Sequence, residues 1–425
     1  MTRWVCKGQK SFAGTIRVPG DKSISHRALI LGALAEGQTN ISNFLPSDDC
    51  LRTLAALKEM GIGVEQRSET EITIAGGELQ EPGQPLDLGN SGTAVRLLAG
   101  ILAGQPFFSI LTGDASIRKR PMKRICEPLR KMGTLILSRQ GDLAPLGIRG
   151  GALKGIEYQS PVASAQVKSC VLLAGLFADG ETIVSEPSLS RDHTERMLRS
   201  FGADLKREGS TVTIQPFPTL KGRTVEVPGD ISSAAFFLIG ALITPNSEIR
   251  IENVGLNPTR TGLLDALLEM KADISVVDKS DASGEPVGTI VARSSELKGA
   301  RLGGDMIPRM IDEIPVLALA AAHAEGDTVI SDAAELRVKE SDRITTISTE
   351  LEKLGAKLIP QEDGMIVTGQ RTLKPGTVDS HGDHRIAMTG AIASAAIQGE
   401  VVIEDIDCVA TSFPGFYSLP ETCTN

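Results

Sequence analysis

Short Ala/Leu/Gly-rich stretches that are apolar nearly all round alternate along this chain with amphipathic ones, and β-branched runs lie between them. The first kind, as in Ser23–Glu36, predicts a helix buried on every side. The second kind predicts helices with one solvent face, as in DDCLRTLAALKEMG, HTERMLRSFGADL and RITTISTELEKLGAKL. TNISN, ETIVSEP, DTVISDA and EVVIEDI read as strands.

The alternation is itself repeated. Val18–Arg27, VPGDKSISHR, leads into a buried-type helix, Gly37, a strand, a turn at Pro46-Ser47-Asp48-Asp49 and an amphipathic helix. From Val227 the same order returns, beginning VPGDISSAAFF. Weaker copies begin near Leu86, Val162, Met306 and Ser380. Copies of about 70 residues indicate a duplicated chain of six units. At 425 residues the chain exceeds one ordinary core. The expectation is an α/β fold: a two-lobe inside-out α/β barrel of six repeated βαβαβ-type units, with buried helices and sheets outside. One lobe spans 22–227 and the other 1–21 plus 228–425, with VPG at both crossings.

Composition narrows the partners. Aromatics make up 3% of the chain, so base stacking lacks its usual side chains, and a net charge of −9 argues against nucleic acid or an anionic membrane. The six cysteines (Cys6, Cys50, Cys126, Cys170, Cys408, Cys423) form no CxxC and have no His at ligand spacing, which predicts a reducing compartment and no metal. The N-terminal MTRWVCKGQKSF lacks an apolar signal core, and no run approaches the roughly 20 apolar residues of a membrane span. A cytoplasmic monomer without cofactor is expected.

Candidate chemistry gathers where the buried-type helices begin. A helix N-terminus offers unpaired N–H groups and the positive end of its dipole, so Lys22 and Ser23, with Arg27 one turn on, read as an anion seat. Plain capping by Asp21 or Ser23 with solvated cations is the simpler account of that stretch alone. Recurrence argues against it. Gly89-Asn90-Ser91-Gly92-Thr93 opens the second copy, with Arg96 a turn in, and two glycines allow close approach of a ligand. In SIRKRPMKRI most cations read as a solvated face, and Arg120 before Pro121 as the one that reaches inward. Ser164, Gln166 and Lys168 start the third copy, with Arg191 downstream in RDHTE. Asp312 and Glu313 sit in an apolar stretch, followed by Lys339, Glu340 and Arg343, and then by His384 and Arg385. Several Lys and Arg from separate helix starts imply ligands carrying several negative charges, and a carboxylate held in an apolar helix is a candidate general base or acid. The chain contains neither GxxxxGK[ST] nor GxGxxG.

PGDKSISHR, GNSGTAVR, RPM, SAQVKS, RDHTE, NPTR, RVKESDR and GDHRIAM, in this order, resemble the enolpyruvyl transferase family over essentially the whole chain. The resemblance implies a cleft that closes on shikimate 3-phosphate and phosphoenolpyruvate, in a step toward chorismate and the aromatic amino acids. By it Lys22 bridges both substrates. Ser23, Arg27, Ser164, Asp312 and Lys339 hold shikimate 3-phosphate, Gly92, Arg120, Arg343 and Arg385 hold phosphoenolpyruvate, and Gln166 lies between, with Arg191 a further substrate contact. The 5-hydroxyl then adds to the central carbon of phosphoenolpyruvate as its methylene is protonated, and phosphate leaves. Asp312 suits the hydroxyl proton, and Glu340 or Lys22 the methylene.

RDHTE, NPTR and SAQVK are similar to the family's second sequence class, in which tolerance of glyphosate is common, whereas Gly92 is of the sensitive type. Thr411 stands where many members carry Lys. The sister transferase acting on UDP-N-acetylglucosamine usually has a reactive Cys a few residues before its Arg-Pro loop, at about the place of Ala115 here. A non-catalytic polyanion binder, with Asp312 and Glu340 purely structural, is the reading from another class.

Overall fold

The computed structural model describes residues 2–8, 11–370 and 372–418, so Cys423 lies outside the described residues. The chain divides into two compact units: Gly20–Val227 with Ala282–Glu285, and Met1–Pro19 with Pro228–Asp281 and Pro286–Asn425. Each has its own continuous hydrophobic core.

In the Gly20–Val227 unit three helices are buried almost throughout: Lys22–Leu34, Gly92–Ala103 and Ala165–Gly175. Their all-round apolar composition leaves no stripe for solvent. Small residues let them pack closely: a Cβ on Gly100 would fall 2.3 Å from the Cys170 carbonyl oxygen of the neighbouring helix. The first helix begins one residue earlier than its sequence suggests and stops at Leu34, because Ala35 is extended and Gly37 takes a positive φ. The amphipathic helices Asp48–Glu59, Lys123–Lys131 and His193–Phe201 turn their apolar faces to the same core.

Three four-stranded sheets of this unit share one plan. A short first strand runs parallel to the second, and the other two pair antiparallel. In one sheet these are Leu86–Asp87, Phe108–Thr112, Leu143–Arg149 and Leu135–Arg139; in another, Glu157–Gln159, Thr182–Ser185, Thr211–Ile214 and Leu205–Glu208. In the third, the parallel first strand is Thr224–Glu226, which pairs with Gln38–Ser42 from the far end of the unit's sequence.

The second unit repeats the plan. The helices Ile231–Ile243, Ile314–His323 and His384–Ala393 are buried and touch one another. Ala13–Arg17 runs parallel to Glu248–Gly255, about 235 residues away in the sheet completed by Glu285–Arg293 and Asp273–Ala282. Arg301–Leu302, Gly326–Ile330, Gly364–Gly369 and Lys357–Gln361 form a second sheet. In the last, Arg3–Lys7 pairs antiparallel with Glu400–Glu404, itself parallel to Gly376–Asp379. Among the described residues no helix is long and apolar enough to cross a membrane.

Candidate functional site

Asp21 caps the helix Lys22–Leu34, its Oδ1 accepting the Ile24 N–H at 2.8 Å. In the first turn Lys22 Nζ pairs with Asp49 Oδ2 at 3.0 Å, and Ser23 lies half-buried beside it. Asp49 belongs to the first turn of Asp48–Glu59, where its charge suits the helix dipole; its sequence signal was only that of a cap. One turn on, Arg27 is buried and held by three hydrogen bonds. Nη1 donates to the Ser23 carbonyl at 2.9 Å, Nε to Thr194 Oγ1 at 2.6 Å and Nη2 to Ser169 Oγ at 2.8 Å. Burial lowers its pKa to about 10, against the opposing pull of Glu195 and Asp21, so it stays charged at neutral pH; the Arg191 charge also acts to lower it.

The second helix start gathers another set. Ser91 caps Gly92–Ala103, its Oγ accepting the Ala94 N–H at 3.1 Å. Arg96 Nη1 donates to the Gly92 carbonyl at 3.2 Å and to Gln166 Oε1 at 2.6 Å, and Gln166 Nε2 donates to Thr93 Oγ1 at 3.0 Å. Arg120 Nη2 reaches Asn90 Oδ1 at 3.0 Å. A Cβ on Gly92 would lie 2.7 Å from Arg96 Nη1 and 3.0 Å from Arg120 Nη1, so two guanidinium groups converge on a glycine at the helix start. Arg118, Lys119 and Lys123 are exposed. At the third start, the Ser164 N–H donates to Glu186 Oε1 at 2.9 Å and its hydroxyl caps Ala165–Gly175. Lys168, which the sequence places with these polar residues, is instead buried between Glu186 and Glu195.

In the other unit Asp312 does not lie inside an apolar helix as expected. It occupies the turn between Met306–Met310 and Ile314–His323, because the second helix starts only at Ile314, with Pro315 in its first turn. Around it stand Arg343 Nη1 at 3.1 Å, Arg385 Nη2 at 3.9 Å and Lys339 Nζ at 4.0 Å, while Arg385 Nη1 donates to the Asp312 carbonyl at 2.9 Å. Arg343 is 1% exposed and serves three carboxylates: Asp312, Glu340 at 2.6 Å and Asp383 at 2.8 Å. Burial alone would depress its pKa, but Asp383, Glu340 and Asp312 outweigh it and the pKa is raised. Asp383 also caps His384–Ala393 through the Arg385 N–H at 3.0 Å. Glu313, buried, accepts from Ser232, with Arg260 and Arg385 at 3.9 and 4.0 Å. Arg260 of NPTR therefore serves the helix start at Asp230, to which it donates at 3.1 Å. Thr411 donates to the Cys408 carbonyl at 2.7 Å and lies 3.3 Å from His384 Nδ1.

Lys22, Ser23, Arg27, Gly92, Arg120, Ser164, Gln166 and Arg191 thus belong to one unit, and Asp312, Lys339, Glu340, Arg343 and Arg385 to the other. The partners the sequence reading missed, Asp49, Ser169, Glu186, Thr194 and Asp383, are ordinary cap, helix or loop residues whose roles arise only from packing. Cys6, Cys50, Cys126 and Cys170 are buried, and burial raises the thiols of Cys6 and Cys126 to about 12. Ala115 lines a basic cavity of about 390 Å³ with Arg118, Lys119, Arg139 and Leu143.

The family model for EPSP synthase (3-phosphoshikimate 1-carboxyvinyltransferase) matches residues 6–419. The chain is 55% identical over 408 residues to the 3-phosphoshikimate 1-carboxyvinyltransferase of Bacillus thuringiensis (strain Al Hakam), covering 95% of each chain. It is 54% identical over 411 residues to the protein of that name from Desulforudis audaxviator (strain MP104C), covering 96% of each. Among solved structures, an EPSP synthase from Acinetobacter baumannii superposes with a TM-score of 0.89 at 47% identity, covering 99% of this chain and 98% of that one. The enolpyruvyl transferase NikO from Streptomyces tendae shares the fold, with a TM-score of 0.79 at 17% identity over 99% of this chain and 96% of that one.

Proposed function

The chain belongs to the EPSP synthase family, and from that premise we propose how its residues divide the work of the reaction. It is a transferase of the shikimate pathway that moves the enolpyruvyl group of phosphoenolpyruvate to the 5-hydroxyl of shikimate 3-phosphate and releases phosphate. Ser23, Arg27, Ser164, Asp312 and Lys339 bind shikimate 3-phosphate, and Arg191 is a further substrate contact. Gly92 and Arg120 hold phosphoenolpyruvate together with Arg343 and Arg385; Lys22 and Gln166 meet both substrates. The fold is then the two-lobe inside-out α/β barrel of six repeated units, and the protein works as a cytoplasmic monomer.

Asp312 takes the 5-hydroxyl proton as that oxygen bonds to the central carbon of phosphoenolpyruvate. Glu340 or Lys22 delivers a proton to the methylene, giving a tetrahedral intermediate whose charge the guanidinium groups stabilise. Loss of phosphate, with return of a methyl proton, restores the enol ether. The observation that best supports this reading is Gly92, where Arg96 and Arg120 meet a capped helix start and a side chain would intrude on an anion. Incubation with both substrates should release one phosphate per enol ether formed, and none with UDP-N-acetylglucosamine as acceptor. Turnover with the nucleotide sugar alone would overturn the assignment.

A further inference from the structure

Lys168 has no exposed surface, and its ammonium lies 2.9 Å from Glu186 Oε2 and 2.8 Å from Glu195 Oε1, both equally buried. It also donates to the Ser190 carbonyl at 3.3 Å. Burying one ammonium and two carboxylates is costly, and apolar residues of like volume commonly fold as well or better, so the charges call for a reason other than stability. What they touch supplies one. The other oxygen of Glu186 accepts the Ser164 N–H at 2.9 Å, and its Oε2 also accepts from Ser190 Oγ at 2.8 Å. Glu195 adjoins Thr194, whose hydroxyl receives Arg27 Nε, and Lys168 adjoins Ser169, whose hydroxyl receives Arg27 Nη2.

We infer that Lys168, through Glu186 and Glu195, is a positioning residue that sets Ser164 and Arg27 for the phosphorylated acceptor. The inference rests on the assignment of those two groups to shikimate 3-phosphate. One lysine joins the helix Ala165–Gly175 to the start of His193–Phe201 and to the segment at Glu186–Ser190, so three pieces of chain move together or not at all. Glu195, paired with Lys168, also acts on the charge of Arg27. Burial draws the lysine pKa down, but Glu195 and Glu186 outweigh it and the pKa is raised, so Lys168 stays charged throughout the working range.

Lys168→Met leaves two buried carboxylates without the ammonium that lies 2.9 and 2.8 Å from them. It should raise KM for shikimate 3-phosphate by about tenfold or more while KM for phosphoenolpyruvate changes less than about twofold. Adding Glu186→Gln restores the charge balance and keeps an acceptor for the Ser164 N–H, so the double variant should recover to within about threefold of the parent. Thermal melting accompanies each variant. Should Lys168→Met not fold, Lys168→Arg reads the same point: charge is kept but the planar fork re-aims Glu186, and KM should again rise for the acceptor only. A role confined to stability lowers the melting temperature and shifts both KM values together or neither, and leaves the double variant no better than the single; any of these overturns the inference. Ser164→Ala separates the two levels. If it leaves the acceptor KM unchanged, the assignment of Ser164 falls and the inference with it; if it raises that KM while Lys168→Met does not, the inference alone falls.

Discussion

Asp312 holds its carboxylate among Arg343, Arg385 and Lys339, and its proposed work is to take one proton from a hydroxyl. Asp312→Asn keeps the shape and removes the base, so kcat should fall by about 10²–10⁴-fold in a variant that still folds; retained turnover would end that role. Gly92 makes a different case. A methyl there meets the movable ends of Arg96 and Arg120 rather than backbone, so Gly92→Ala should fold normally and raise KM for phosphoenolpyruvate more than for shikimate 3-phosphate. The thiols bear on the rival acceptor. Burial raises the pKa of each described cysteine, and the Ala115–Arg120 loop itself contains no cysteine, so it offers no thiolate nucleophile. Residue types were legible in the sequence because anion chemistry needs Lys, Arg and Gly at helix starts. Their partners were not, since nothing in the spacing of Lys22 and Asp49, or of Arg27 and Thr194, tells that packing brings them together.

At the level of elements, the all-round apolar helices were legible because burial on every face removes polar positions altogether. Where they begin was less so. Asp312 precedes its helix, since Pro315 suits a first turn and Glu313 is taken up by Ser232 and the arginines nearby. Close approach of helices gives a stability test away from the chemistry. Gly100→Ala drives a methyl into the Cys170 carbonyl, which backbone cannot easily yield, and should cost about 1–3 kcal/mol. In a unit of this size that lowers the melting temperature by about 2–4 °C per kcal/mol, and an unchanged melt would refute the close packing of Gly92–Ala103 on Ala165–Gly175.

For the whole molecule, two buried histidines contribute to the response to acid. Burial lowers the pKa of His26 well below 6.5, helped by the charges of Lys22 and Arg27, and burial lowers that of His323 against the opposing Leu319 carbonyl. The folded chain thus keeps both neutral where the unfolded chain takes up protons. Their stability is present above 6.5 and is lost as pH falls below it, by up to about 1.4 kcal/mol per pH unit for each. Denaturant titrations at pH 7.5 and pH 5.5 should show that loss, and equal stability at both would contradict the burial of these rings. The sequence by itself determined the repeated unit, the buried and amphipathic helices, the net acidity and the set of cations at helix starts, because composition and periodicity follow from burial and from the ligand's charge. Only the tertiary structure decided that Ala13–Arg17 pairs with Glu248–Gly255 and Thr224–Glu226 with Gln38–Ser42, that Lys168 turns inward, and which carboxylate faces which cation. Strand pairing and buried ion pairs join residues far apart in the chain, and local pattern carries no record of such partners.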